Sequence, residues 1–466
     1  MTRSENDLSP TVRRWIGGAA TLLIAVAAMA SAMVLFRAVG QWNAYLSTSD
    51  LVIFYALPSV TTVAFVLTLV RTSVGFRVNV ALMLISAGLG LAGVDTVLFT
   101  VSRPTESHPM ETPDGEPVPS SEQVMRDLRT HGVRAYSRVT EGPLIESDVS
   151  FATAAGRVHP ISPAPGFSTV VLCSEASEPV VYQADRYGFN NPDPAWDKDV
   201  DLALVGDSYV HGMCVPHKEQ LAAVLDSGMR TLNLGATNSG PLRELAILRE
   251  YVTPKTPPIV AWVYYEGNDL ADLALEDGHR WLFEYLDAGH RQGLPEHQKI
   301  LDQQYAHWLD ALIDGTPVVP NALPNGVISG GYMLHDLIRL SSLRGALHFG
   351  EVFPSKTPLG VLPQVLLRAN ADVAGWGGRF IVVYMPEYLR YERGGGKSKH
   401  GRAELIRFLA RQNIPLVDLD PIFRATGHPK LLWAHPRGHL NAEGYKLSAR
   451  AIAATIDGLN PAPFEH

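Results

Sequence analysis

The stretch DLALVGDSYVHG, residues 201–212, decides the fold. A short, almost unbroken apolar run enters Gly206, and Asp207 and Ser208 then stand where a helix should begin. A run this short that is hydrophobic on both faces is a strand buried inside a parallel sheet, covered by helices above and below. Four more runs of the same kind follow: RTLNLG (230–235), PIVAWVYY (258–265), RFIVVYMP (379–386) and IPLVDLD (414–420), with helical stretches between them. The alternation predicts a three-layer α/β sandwich with a parallel sheet, from about residue 199 to the end.

Upstream the pattern changes. Residues 15–36, 51–70 and 78–101 are apolar and carry one formal charge among them, Asp95. Each approaches the roughly 20 residues that cross a bilayer. The first run is too long for a signal-peptide core, and no compact small-residue cleavage site ends it. Three membrane helices are therefore expected. Arg3, Arg13 and Arg14 precede the first and Arg71 and Arg77 follow the second, against Arg37 and Arg103 at the opposite ends. This bias predicts a cytoplasmic N-terminus and an extracytoplasmic C-terminal domain, in a multi-pass protein of a bacterial cytoplasmic membrane. Asp95, close to the outer end, is expected to snorkel to headgroups or pair within the bundle.

The segment RPTESHPMETPDGEPVPSSE (103–122) has no periodicity and reads as a linker. Ser120 and Gln123 form a capping-box pattern that opens a short helix ending at Gly132. The expected organisation is residues 1–101 for the N-terminus and membrane helices, 102–160 for the linker and helical connector, and 161–466 for the outer domain. That domain carries an insertion at 276–363. The aromatic residues of the insertion, Trp281, Phe283, Tyr285 and Trp308, are expected in the core of a helical subdomain rather than in a ligand groove. A net charge of −8 over 466 residues, 46% of them apolar, speaks against disorder and against a nucleic-acid partner.

In open parallel sheets functional groups gather beyond the carboxyl ends of the strands. Four such places carry chemically suggestive residues: GDSYVHG (206–212), NLGATNSGP (233–241), YYEGNDL (264–270) and GHLN (438–441). A lone Gly-Asp-Ser is usually a turn. In this order and spacing, however, the four blocks resemble the SGNH (GDSL-like) hydrolase superfamily, over residues 199–459 apart from the insertion. DRYGFNNPDPAW (185–196) and VYYEGNDLADL (263–273) are similar to its membrane-anchored bacterial members.

The resemblance implies an SGNH hydrolase, or flavodoxin-like, sheet and assigns roles. Ser208 matches the nucleophile and, through its backbone N–H, an oxyanion donor. Asn268 matches a second donor through its side-chain amide. The second-block glycine falls at Gly235 or near Asn238 to Gly240. His439 matches the base, with His435 as its rival. Asp207 and Arg437 are accessory candidates, and Arg437 is a departure, because members usually carry an aspartate there. Asp418, Asp420 and Glu443 are the possible replacements for that carboxylate.

GGGKS (394–398) imitates a phosphate-binding loop but follows no strand, and is expected to be a flexible loop. No His, Cys, Asp and Glu spacing suits a metal, and no cofactor is expected. Cys173 and Cys214, an even pair in an oxidising compartment, are expected to form a disulfide.

These features imply a membrane-anchored ester hydrolase or O-acyltransferase working through an acyl-serine. Acylated envelope glycans or other esters are the expected substrates, and a separate acyl-donor protein is needed if the reaction is transfer. The alternative is a catalytically degenerate domain serving as a glycan-binding or assembly scaffold, which Arg437 favours.

Overall fold

The structure, a computed structural model, describes residues 9–40, 55–102, 119–137, 149–153, 156–171, 179–276, 278–313, 359–391, 401–434 and 438–459. These fall into two compact units, one built from the helices before residue 107 and the other from the rest.

The first unit has helices Pro10–Gly40, Leu57–Arg71 and Val74–Ser102. The first packs against the other two, and Ser31 on it donates to the Pro58 carbonyl at 3.4 Å. Large apolar side chains point outward all round, among them Trp15, Phe36, Val70, Phe76 and Leu89. Two segments, Pro10–Phe36 and Val74–Val94, are long and apolar enough to cross a bilayer. The helix Leu57–Arg71 has 15 residues, and at 1.5 Å per residue it falls short of the ~30 Å hydrocarbon core. Two spans are therefore seen among the described residues where the hydropathy predicts three. Residues 51–54, the start of the predicted second span, and the Asp95 side chain lie outside the description.

In the second unit Ser120 and Gln123 make the expected reciprocal cap on helix Ser121–Thr130, with Ser120 Oγ accepting at 3.1 Å and Gln123 Oε1 at 2.6 Å. Five short strands follow: β1 (Ala135–Ser137), β2 (Phe151–Thr153), β3 (Gly156–Val158), β4 (Ser168–Val171) and β5 (Val180–Gln183). Strands β1, β4 and β5 form one small sheet, and β2 and β3 pair as an antiparallel ribbon. Met125, Tyr136, Phe151, Val158 and Ile161 are buried in the main core. Part of the stretch expected to be a connector is thus structural, and strands of three residues are too short to show a period in the sequence.

The central sheet holds β6 (Leu202–Gly206), β7 (Thr231–Gly235), β8 (Ile259–Tyr265), β9 (Arg379–Met385) and β10 (Leu416–Asp418). The order is β7-β6-β8-β9-β10, with every pair parallel. Counted from the first of these strands it is 2-1-3-4-5, the doubly wound arrangement whose switch point lies beside the first strand.

Strands β6, β8 and β9 each feed two cores. Ala203, Val205, Val260 and Trp262 face one, with helices Pro241–Ile247 and Leu362–Gly375. Leu202, Leu204, Ala261 and Val263 face the other, with helices Leu221–Asp226, Leu419–Ala425 and Ala442–Leu459. This two-sided burial is why the strands read as unbroken hydrophobic runs.

The described half of the insertion joins the first of these cores. Tyr285 and Trp308 are buried in it, and Trp281 and Phe283 pack partly buried against it. Trp281 also stacks on His159 at 4.3 Å.

Candidate active site

Strand β6 delivers the chain to Asp207, whose carboxylate accepts the Tyr209 N–H at 2.9 Å and caps the single turn Ser208–His211. Gly212 ends that turn in the left-handed region. Ser208 is 8% exposed, and its Oγ lies 3.0 Å from Nε2 of His439.

The histidine arrives on a tightly tied loop. Trp433 and Leu440 form an antiparallel bridge, and Ala434 N–H donates to the His439 carbonyl at 3.0 Å. Asn441 caps the final helix through Gly444 N–H at 3.0 Å while donating to Leu431 O at 2.8 Å. Tyr209 adds a hydrogen bond to Gly438 O at 3.1 Å, with its ring 5.0 Å from the imidazole. On the other edge of the ring, Sγ of Cys214 stands 3.7 Å from Nδ1. Cys214 is disulfide-bonded, and Cys173, the other cysteine in the sequence, lies outside the described residues.

Ser208 and His439 open into a cleft of about 380 Å³ beyond the carboxyl ends of β6 and β8. Asn238, Gly267 and Asn268 line it, with a wall made by Tyr209, Met213, Tyr265, Tyr388 and Leu389 and with Glu387 at its border. Tyr209 and Tyr265 lie within the first and third blocks but were given no role there, and Met213, Tyr388 and Leu389 belong to no motif. The loop bearing residues 387–389 is held by the Arg390–Glu266 ion pair and by Glu387 N–H donating to Glu266 Oε2 at 3.2 Å.

The three positions matched to the second block separate clearly. Gly235 N–H donates to Asn233 Oδ1 at 2.8 Å, and Gly240 N–H donates to Glu276 Oε1 at 2.9 Å. Asn238 lines the cleft, with φ of 52°, a left-handed conformation that asparagine tolerates. Gly235 has a different duty. A β-carbon there would meet the His211 backbone nitrogen at 2.0 Å, so glycine is what lets β7 approach the Ser208 turn.

The histidine of the nucleophile's turn, His211, is buried with Nε2 2.7 Å from the Tyr182 hydroxyl. Asp418 is ion-paired with Arg402. Asp420 faces Arg424 at 2.9 Å and Arg402 at 3.8 Å. Glu443 is exposed, 3.6 Å from Lys446. The carboxylates offered as replacements for the usual aspartate are thus committed to cations. His435, Arg437 and the GGGKS stretch lie outside the described residues.

The DRYGFNN stretch is a brace. Asp185 accepts from Tyr187 N–H, Phe189 N–H, the Asn191 amide and the Trp196 indole. Asn191 exchanges hydrogen bonds with the backbone of Asn233 on β7, and Asn190 donates to His211 O at 3.0 Å behind the nucleophile turn. Burial pushes the Asp185 carboxyl up to about 6 despite its four donors.

Close enough to Asp207 to feel its charge lies a buried acidic group that the motifs do not show. Its trace in the sequence is the i, i+3, i+7 spacing of Asp269, Asp272 and Glu276 on helix Asp269–Glu276, which puts them on one helix face. Glu276 accepts three backbone N–H groups at the start of helix Pro241–Ile247, yet burial raises its carboxyl to about 7. Asp272 also rises to about 7, through burial and then the charge of Asp207. Asp269 and Glu244 are driven upward by burial first and by their acidic neighbours next. Asp207 itself is raised by burial, opposed by the Tyr209 N–H, by His439 and by a side-chain hydrogen bond from Asn268.

No protein-family model matches the chain, and none of the curated proteins resembles it closely enough to count as a relative. Among solved structures, a member of the lipolytic G-D-S-L family from Veillonella parvula is similar at 13% identity and a TM-score of 0.28, covering 55% of this chain and 97% of that one. A likeness that loose does not carry the family. What stands is the chain's own geometry: a serine hydroxyl against an imidazole nitrogen, at the switch point of a doubly wound sheet, opening on a small cleft. Such a pair can transfer the hydroxyl proton to the ring and release an alkoxide-like nucleophile. Among the described residues no group of His, Cys, Asp and Glu is arranged to hold a metal ion.

Proposed function

We propose that this protein is an SGNH-type serine ester hydrolase or O-acyltransferase, anchored in a bacterial cytoplasmic membrane with its α/β unit outside. The observation that carries the reading is the 3.0 Å approach of His439 Nε2 to Ser208 Oγ. His439 takes the hydroxyl proton as Ser208 attacks the ester carbonyl, and the same ring returns it to the leaving alcohol. The tetrahedral oxyanion is met by the Ser208 and Asn238 backbone N–H groups and by the Asn268 amide. Water, or the hydroxyl of an acceptor sugar, then resolves the acyl-Ser208 intermediate. The cleft is small, and its wall is rich in tyrosine, a side chain with both an apolar face and a hydroxyl. This suits a short acyl group on a polar, glycan-like alcohol.

Support for the location comes from the two long apolar helices, from the arginine bias at their ends and from a disulfide at Cys214, which oxidising compartments favour. A third crossing over residues 51–70 completes the proposed topology and places the C-terminal domain opposite the N-terminus. The Cys214 bridge is assigned to Cys173.

A fluorophosphonate probe applied to the full-length protein in membranes tests the reading. Labelling that disappears in Ser208→Ala supports it. An unlabelled wild-type protein favours the scaffold reading that Arg437 suggests.

A further inference from the structure

The two ring nitrogens of His439 face different partners. Nε2 meets Ser208 Oγ at 3.0 Å, and Nδ1 meets the Sγ of Cys214 at 3.7 Å. A disulfide sulfur carries lone pairs and no proton, so it accepts and cannot donate. An imidazole that presents N–H to that sulfur at Nδ1 presents its lone pair to Ser208 at Nε2, which is the tautomer a general base needs.

The backbone is shaped for this contact. Cys214 adopts φ of 73°, a left-handed conformation that residues with a β-carbon seldom take, and the side chain is buried with Val171, Tyr182, Ala184 and Met213. Cys214 follows Ser208 by six positions. Cys214 is thus near the nucleophile in sequence and beside the base in space.

We infer that the disulfide sulfur of Cys214 is a positioning group for the His439 imidazole, so that the competence of the base depends on the bridge being closed. The inference rests on His439 being the base. Sulfur is a weak, uncharged acceptor, so it holds the ring's tautomer and angle without stabilising the imidazolium as a carboxylate does.

The test compares full-length protein in detergent, with p-nitrophenyl acetate as substrate. Cys173→Ser/Cys214→Ala should lower kcat by at least about tenfold with KM little changed, since a displaced base harms the transition state more than ground-state binding. Cys173→Ser/Cys214→Asp should recover much of that loss and move the acid limb of the pH–kcat/KM profile upward, because a carboxylate at Nδ1 orients the ring and favours its charged form. Neither variant has the bridge, so equal impairment of the two would show a merely structural disulfide and overturn the inference. Wild-type kcat and pH profile in the alanine variant would overturn it too.

Should the variants not fold, reversible reduction of the wild-type protein with a phosphine replaces them. The expected result is a fall in kcat once two thiols titrate, restored on reoxidation; unchanged kcat with two free thiols refutes the inference. Turnover that survives Ser208→Ala counts instead against the serine–histidine reading itself, whatever the cysteines do.

Discussion

Replacing Gly235 with alanine should disable the site without touching any residue that lines the cleft. The added β-carbon would sit 2.0 Å from His211 N, 2.5 Å from Val210 C and 2.6 Å from His211 Cα, all backbone atoms of the nucleophile's turn. Ordinary contact begins near 3.4 Å, so the turn and β7 must separate by about 1.4 Å (3.4 minus 2.0). Strand β7 is poorly placed to yield. It pairs with β6 along its whole length, and Asn191 ties down its Asn233. The displacement therefore falls on the segment that carries Ser208. Overpacking of this kind costs about 1–3 kcal/mol of stability, and a misplacement of about 1 Å lowers turnover by up to about 10²-fold. Steady-state hydrolysis of p-nitrophenyl acetate by the full-length protein, read beside its melting temperature, measures both effects. Gly228→Ala, where nothing lies within 4 Å of the new carbon, is the control and should change neither. If Gly235→Ala keeps wild-type kcat and melting temperature, the close approach of β7 to the turn is not what fixes Ser208.

The buried acids predict an unusual pH dependence of stability. Asp185, raised to about 6, and Asp272 and Glu276, each raised to about 7, keep protons in the native state that the unfolded chain releases near pH 4. Their contribution is fully present below pH 4, is lost as pH rises to about 7 and is level above that; a melting temperature that climbs steadily from pH 5 to 7.5 would contradict it. Asn268→Ala should lower kcat by about 10²-fold or more with a smaller effect on KM, as expected for an oxyanion donor, and an equal loss in KM alone would make it a binding residue. A reporter active only outside the cytoplasm should be active when fused after Ser102 and inactive between Arg71 and Arg77, whereas the reverse pattern would remove the envelope location.

The central sheet was legible because strands β6 to β9 are buried on both faces. DLALVG, TLNLG and VAWVYY have no polar residue to interrupt the run except Asn233, and Asn233 is the one that reaches out to the brace and to Gln220. Ser208 and His439 were legible from the order of the blocks. What stayed hidden has no linear signature. Cys214 reaches His439 across 225 positions of sequence, and the tyrosines of the cleft come from β8 and from the turns after β6 and β9. The three-residue strands β1 to β3 are too short for a period, so beyond the capped helix that ends near Gly132 the stretch to residue 160 reads only as connector, although Tyr136 and Phe151 are core. The ambiguity over the second block also had a physical cause. Glycine serves both where a β-carbon will not fit and where a backbone N–H must be bared, and linear spacing cannot separate these duties, whereas in three dimensions Gly235 and Gly240 direct their N–H groups to Asn233 and Glu276 and Asn238 lines the cleft.

The most direct test of the serine–histidine pair is a double-mutant cycle on Ser208 and His439, with kcat/KM for p-nitrophenyl acetate measured on the full-length protein. Groups that act as one unit are non-additive. Ser208→Ala and His439→Ala should each remove nearly all turnover, and the double variant should be no worse than the poorer single one. Losses that multiply in the double variant, or activity undiminished by His439→Ala, would contradict the 3.0 Å contact as the catalytic pair.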